Sequence, residues 1–224
     1  MTTRVRPDVV AFDVNETLLD LAPVRAALIE AGQPESLLPT VFARTLLTGM
    51  AALAVGSWCR FRDAFDAALT QSSDLGPAER ATVLEGFGEL APHADVEPAL
   101  RRLVEGGFRV VTLSHGSPGV AEAGLERGGI TPLVERSLST EAIRAWKPSR
   151  EAYLWAAGSC DVPPDRMALV AAHGWDVFGA QRAGLTGAWF PRGERSYPAV
   201  YEPPHVTASD LSGAVDALLA LPAA

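Results

Sequence analysis

The feature that most restricts this chain is the run Val9-Val10-Ala11-Phe12, followed at once by Asp13 and then by Val14-Asn15-Glu16-Thr17. An unbroken apolar run rich in β-branched and aromatic residues reads as a strand buried on both faces, as in a parallel sheet. A carboxylate at the end of such a strand must be paired or used, because an isolated buried charge is expensive. Similar runs recur as Val110-Val111-Thr112-Leu113, Ala168-Leu169-Val170-Ala171 and Ala188-Trp189-Phe190. Helical patterns lie between them. Val96, Leu100, Leu103 and Val104 share one face of a helix that should stop at Gly106-Gly107. Strand and helix alternate, so the expected fold class is α/β, with a βαβ parallel sheet.

The first two apolar runs are separated by far more chain than one crossover needs, and the interval carries no strand pattern. Helices are expected there over Pro23–Ala31, Pro39–Ala54, Arg60–Leu69 and Pro77–Phe87, with Gly and Pro at the joints. The expected division is a catalytic core formed by residues 1–18 and 92–224, and a helical cap over residues 19–91 that covers the strand ends. The Ala-rich stretch Ala214–Ala224 reads as a last helix that frays.

Among 224 residues the formal net charge is −8, which disfavours nucleic acid and anionic membrane surfaces as partners. The expected partner is a small molecule. Cys59 and Cys160 are far apart and form no CxxC pair, so neither a zinc site nor a disulfide framework is expected. The N-terminal stretch enters a strand without a signal-peptide pattern, and no apolar run reads as a membrane span. A cytoplasmic protein is expected.

In an open α/β sheet the site lies in the crevice at the carboxyl ends of the strands. The residues that follow the apolar runs are Asp13, Asn15 and Thr17, then Ser114-His115-Gly116-Ser117, and finally His173-Gly174-Trp175-Asp176, with Lys147 upstream of the third run. Asp13, Ser114, Lys147 and Asp176 are therefore expected to converge. A carboxylate, a hydroxyl, an ammonium and a second carboxylate form a nucleophile with its electrostatic clamp. Taken singly, each would also serve as a helix N-cap or one half of a surface ion pair.

The segments FDVNETL, LSHGS, KPSREAY and VAAHGWD resemble, in order, the four motifs of the haloacid dehalogenase superfamily, in particular its type II L-2-haloacid dehalogenase branch. The resemblance spans nearly the whole chain. It implies a Rossmann-like parallel sheet core with an inserted helical cap. It also implies that Asp13 is the nucleophile, that Thr17, Ser114, Lys147 and Asp176 are its motif companions, and that Arg44 receives the leaving halide and the substrate carboxylate. Tyr153 and Trp175 match aromatic residues of the branch's substrate pocket, and relatives of this type pair as homodimers.

Most of the superfamily transfers phosphoryl groups and carries a second aspartate in the first motif, which protonates the leaving group. Here that position is Asn15, and an amide is no general acid at neutral pH. The resemblance then implies attack on carbon: hydrolytic dehalogenation of a small 2-haloalkanoic acid through an ester on Asp13, with no metal and no cofactor. The alternatives are a Mg2+-dependent phosphatase and a hydrolase of another carbon–heteroatom bond. The sequence also departs from the branch. Glu16 stands where glycine is usual, His115 where asparagine is usual, and Ala171 and His173 replace polar residues of the last motif. His173 is expected to be the base for the hydrolytic water and His115 a hydrogen-bond partner of the leaving group.

Overall fold

A computed structural model describes residues 4–223 of the chain; the expected fraying of the last helix reaches Ala224, which lies outside them. Six strands form one parallel sheet: β1 (Val9–Phe12), β4 (Arg109–Ser114), β5 (Arg136–Ser139), β6 (Met167–Ala171), β7 (Thr186–Trp189) and β8 (Val206–Thr207). Their order across the sheet is β5-β4-β1-β6-β7-β8, which puts β1 in the middle with β4 and β6 as its neighbours. The end of β1 is therefore the end of the central strand.

The strand period of two explains the two cores. Val10 and Phe12 pack on one face with Val110 and Val170, while Val9 and Ala11 pack on the other with Val111, Leu113 and Leu169. Helix α5 (Val96–Glu105) covers the first face with Val96, Leu100 and Leu103 fully buried, each contributing roughly 1.5–3 kcal/mol. It stops where expected, at Gly106 and the left-handed Gly107, with φ 85°.

β5 and β8 were not expected from the sequence. β5 is the polar stretch Arg-Ser-Leu-Ser at the sheet edge, and β8 is two residues long. Neither carries an apolar run, because an edge strand is defined by its hydrogen bonds to one neighbour more than by burial.

Between β1 and β4 the chain is largely helical: α1 (Ala22–Glu30), α2 (Leu37–Ala54), α3 (Phe61–Ser72) and α4 (Pro77–Glu85). The first and last helices begin with a proline in the first turn, where the missing N–H costs nothing. Two short strands flank these helices, β2 (Leu19–Asp20) and β3 (Ala91–Pro92). They pair antiparallel and bring the ends of the insertion together. α2 has 18 residues and a mean hydropathy of 1.5, enough by length and composition to cross a membrane, which corrects the expectation that no such run exists. Its Val41, Phe42, Thr45 and Gly49 face is buried, and it packs along α3. At Gly49 an added Cβ would lie 2.2 Å from the Trp146 ring, so glycine is what lets α2 approach the loop that carries Lys147.

Candidate active site

Asp13 follows β1 directly and is 6% exposed. The fully buried Lys147 donates from Nζ to Asp13 Oδ1 at 2.7 Å, to Asp176 Oδ2 at 2.7 Å and to the Leu113 carbonyl at 2.9 Å. All three ammonium donors are thus satisfied by groups from β1, β4 and the helix after β6. Burial works against the charges of both Asp13 and Lys147. Their attraction wins: Lys147 and His173 hold the Asp13 carboxyl well below the usual range, and the two carboxylates raise the Lys147 ammonium above its own. Burial and the nearby Asp13 push the Asp176 carboxyl up, against Lys147 and Tyr153.

Thr17 locks the nucleophile from a second side. Its hydroxyl donates to Asp13 Oδ2 at 2.7 Å and accepts the Ala172 N–H at 3.0 Å, which ties the loop after β1 to the end of β6. That loop turns through Glu16 at φ 60°, where glycine is free and an L side chain costs roughly 1–2 kcal/mol.

His173 lies between two carboxylates, with Nδ1 3.0 Å from Asp13 Oδ2 and Nε2 3.4 Å from Glu16 Oε2. Burial opposes its charge, but the two acids push its pKa up to about 10. With its pKa so raised, the ring carries a second proton in the free protein and must lose one before it can act as the expected base. His115 is the opposite case. Burial first, and then the Lys147 ammonium, push its pKa well below the ordinary value. Its Nε2 accepts the Lys147 backbone N–H at 2.8 Å, so the ring proton is on Nδ1.

Trp175 is half-buried between these two rings, 5.8 Å from His115 and 5.5 Å from His173, and nearly parallel to both. Trp146 packs on His115 at 4.5 Å with the rings tilted by 37°, and Phe42 of α2 stacks on His173 at 5.9 Å. Aromatic neighbours fix the planes of both imidazoles.

Two openings flank the nucleophile. One is a cavity of about 180 Å³ walled by Asn15, Ser114, Gly116 and Val120 of the sheet side and by Phe61 and Phe87 of the inserted helices. Helix α6 (Pro118–Arg127) starts at its edge, so the positive end of the helix dipole meets a ligand there. The other is a groove of about 670 Å³ walled by Glu16, His173, Trp175, Phe42 and Leu46. Asp13 itself walls neither opening, but His173, which bonds it, walls the groove, and Asn15, two residues on, walls the cavity.

Three expected site residues bond to partners other than Asp13. Arg44 is exposed and reaches only Gln71 Oε1 of α3, at 3.5 Å. Its neighbours Ala43 and Leu47 wall the groove, but Arg44 itself walls neither opening. Tyr153 touches neither opening. It is fully buried and donates its hydroxyl to Asp176 Oδ1 at 2.6 Å, so it steadies the acid that holds Lys147. Ser114 does wall the cavity, but its hydroxyl turns back to the Gly116 carbonyl at 3.1 Å rather than to Asp13. The arginines at the cavity are Arg60 and Arg62, at the start of α3. No sequence spacing links them to the motifs, and only the fold of the insertion brings them there.

A carboxylate at the end of the central strand, clamped by a buried lysine that a second carboxylate holds, is the arrangement that a hydrolase with a carboxylate nucleophile requires. The chain belongs to the haloacid dehalogenase-like hydrolases, whose family model matches residues 7–184. It is similar to an (S)-2-haloacid dehalogenase of Pseudomonas putida, 28% identical over 82% of this chain and 85% of the relative. Among solved structures, an L-2-haloacid dehalogenase is similar with a TM-score of 0.89 and 26% identity, covering 96% of this chain and 99% of the other. The L-2-haloacid dehalogenase of Xanthobacter autotrophicus shares the fold with a TM-score of 0.86 at 20% identity, again over 96% and 99% of the two chains.

Proposed function

We propose that this protein hydrolyses the carbon–halogen bond of a small 2-haloalkanoic acid through an ester on Asp13. The observation that carries this reading is the ionised Asp13 carboxylate, fixed by Lys147 at 2.7 Å, with the amide of Asn15 where a phosphatase needs an acid. The dehalogenases named above support the same chemistry. Asp13 attacks the carbon bearing the halogen, in line with the carbon–halogen bond, and the halide departs as an anion. The positive end of α6 and Arg62 at the cavity are placed to receive the substrate carboxylate and the halide, while Arg60 is held by Asp63 at 2.9 Å. His115 offers Nδ1–H as a further donor. Water then opens the ester, freeing a 2-hydroxy acid and restoring Asp13.

The residues do not fit Mg2+. The Asp13 oxygens already face Lys147, Thr17 and an imidazolium, and Asp176 is taken by Lys147 and Tyr153. Among the described residues no group of three or more His, Cys, Asp or Glu side chains is arranged to hold a metal ion. Our reading is therefore metal-free and without a cofactor. We also read helices α1–α4 as a cap that closes over the strand ends and keeps bulk water from the first step. The protein is taken to work in the cytoplasm, its Cys59 and Cys160 free, and to pair as a homodimer. Exposed Leu47 of α2 and Val55, which follows that helix, support the pairing, and sedimentation of the purified protein tests it.

The decisive experiment measures halide release from 2-chloropropanoate and phosphate release from p-nitrophenyl phosphate, each with and without EDTA. Chloride release that EDTA leaves unchanged is expected. EDTA-sensitive phosphate release without chloride would replace this reading with a phosphatase. In heavy-oxygen water a single turnover should label Asp13, since the ester is opened at its carbonyl carbon.

A further inference from the structure

We infer that Glu16 is a positioning residue for the second half of the reaction, holding His173 so that its Nδ1 takes the proton from the water that opens the Asp13 ester. The inference rests on the dehalogenase reading above and deepens it. Three observations converge on Glu16. Its backbone is left-handed, and its N–H is tied to the Leu19 carbonyl at 2.8 Å, so a rigid turn aims the side chain. Its carboxylate meets His173 Nε2 at 3.4 Å while the other ring nitrogen faces Asp13, and Phe42 and Trp175 fix the plane of the ring. It also walls the open groove of about 670 Å³, whereas Asp13 is nearly sealed.

Nucleophile, base and orienting acid form a familiar chain, with water as the nucleophile, His173 as the base and Glu16 as the orienting acid. The proton count supports the order of events. Attack by the Asp13 carboxylate forms a carbon–oxygen bond, breaks the carbon–halogen bond and expels a halide ion. Asp13 is then a neutral ester, and His173 keeps only one of the two anions that held its charge. The ring releases one proton to solvent through the groove, and the proton it retains stays on Nε2 beside Glu16. The Nδ1 lone pair now faces the ester. The oxygen of water bonds to Asp13 Cγ as its proton moves to Nδ1. The Cγ–O bond to the substrate breaks, and the hydroxyl proton of the tetrahedral intermediate passes to the departing alkoxide. One halide ion, one proton and one hydroxy acid leave per turnover, and His173 is again an imidazolium.

Other titratable groups surround the ring. Lys147 precedes α7 (Arg150–Ser159), Asp176 lies on α8 (Gly174–Ala183), and His115 follows β4. Arg25 of α1 and Glu194 wall the same groove, and Glu194 accepts the Gly174 N–H at 3.1 Å. Of these groups only Asp13 and Glu16 bond to the imidazole.

The test compares wild type with Glu16→Gln and Glu16→Gly in rapid-mixing turnover of 2-chloropropanoate. Glu16→Gly also relaxes the turn, so it separates loss of the carboxylate from a disturbed backbone. In both variants the first halide burst should stay within about threefold of wild type, while hydrolysis falls at least about tenfold. The ester should then accumulate on Asp13, visible by intact-protein mass spectrometry. The rising limb of the hydrolytic pH profile should shift to lower pH, and so should titration of the His173 ring in the free protein, followed by nitrogen NMR. Hydrolysis at the wild-type rate with an unmoved profile in both variants sinks the role of Glu16 and leaves the dehalogenase reading standing. A wild-type protein that releases no halide and forms no ester overturns both.

Discussion

Lys147 Nζ sits 2.7 Å from Asp13 Oδ1 in a pocket where the lysine side chain has no exposure at all. Removing one member of a buried charge set leaves the rest uncompensated, which costs about 3–5 kcal/mol. Lys147→Met should therefore lower stability by roughly that amount and abolish turnover. Lys147→Arg should not restore it, because a planar guanidinium cannot direct three donors to Asp13, Asp176 and the Leu113 carbonyl as an ammonium does. Denaturant unfolding beside halide release checks both statements.

Tyr153→Phe removes the 2.6 Å bond to Asp176 and nothing that faces a ligand. It should cost roughly 1–3 kcal/mol of stability, the price of an unsatisfied buried acceptor, and lower kcat with KM little changed. A KM that rises with kcat unchanged would return Tyr153 to the substrate pocket.

Arg44→Ala should leave KM within about threefold of wild type, as expected of a surface substitution. Arg62→Ala should raise KM for a haloacid more than Arg44→Ala does, since Arg62 walls the cavity. Steady-state kinetics of the two variants decide between the positions.

His173 gives the folded protein a pH signature. Its folded pKa of about 10 lies above the ordinary 6.5, so its contribution to stability is complete below about 6.5 and is lost as pH rises towards 10. Asp13 acts at the other end: its depressed carboxyl contributes above the ordinary 3.8 and is lost as acid protonates it. Wild type should lose more stability between pH 7 and 10 than His173→Asn does, read as the difference in urea midpoint across that window. Parallel curves would mean that the ring is neutral in the folded protein.

Much of the fold was legible because burial leaves a periodic trace. The central strands and the four inserted helices each show their apolar pattern, and their observed ends fall within a few residues of the expected ones. β5 and β8 left no such trace, since polar edge strands are made by pairing. Asp13, Lys147, Asp176 and Thr17 could be named from sequence because each sits at a strand end or in a motif, and the structure brings them together. The partners of Arg44 and Tyr153, Gln71 and Asp176, were not legible for one shared reason. A position in a motif gives a residue type but not the side of the helix it occupies, and a helix turns 100° per residue.

The sequence by itself determined a buried strand ending in a carboxylate, its alternation with helices, and the amide at Asn15 that turns the chemistry away from proton donation to a leaving group. Only the tertiary structure decided the charge on the two histidines. His115 and His173 are alike in sequence, but one is buried beside an ammonium and the other between two carboxylates, so one is held neutral and the other positive. The free energy of a charge depends on the neighbours that folding brings within a few ångströms of it, and for His173 those neighbours come from a segment more than a hundred residues away in the chain.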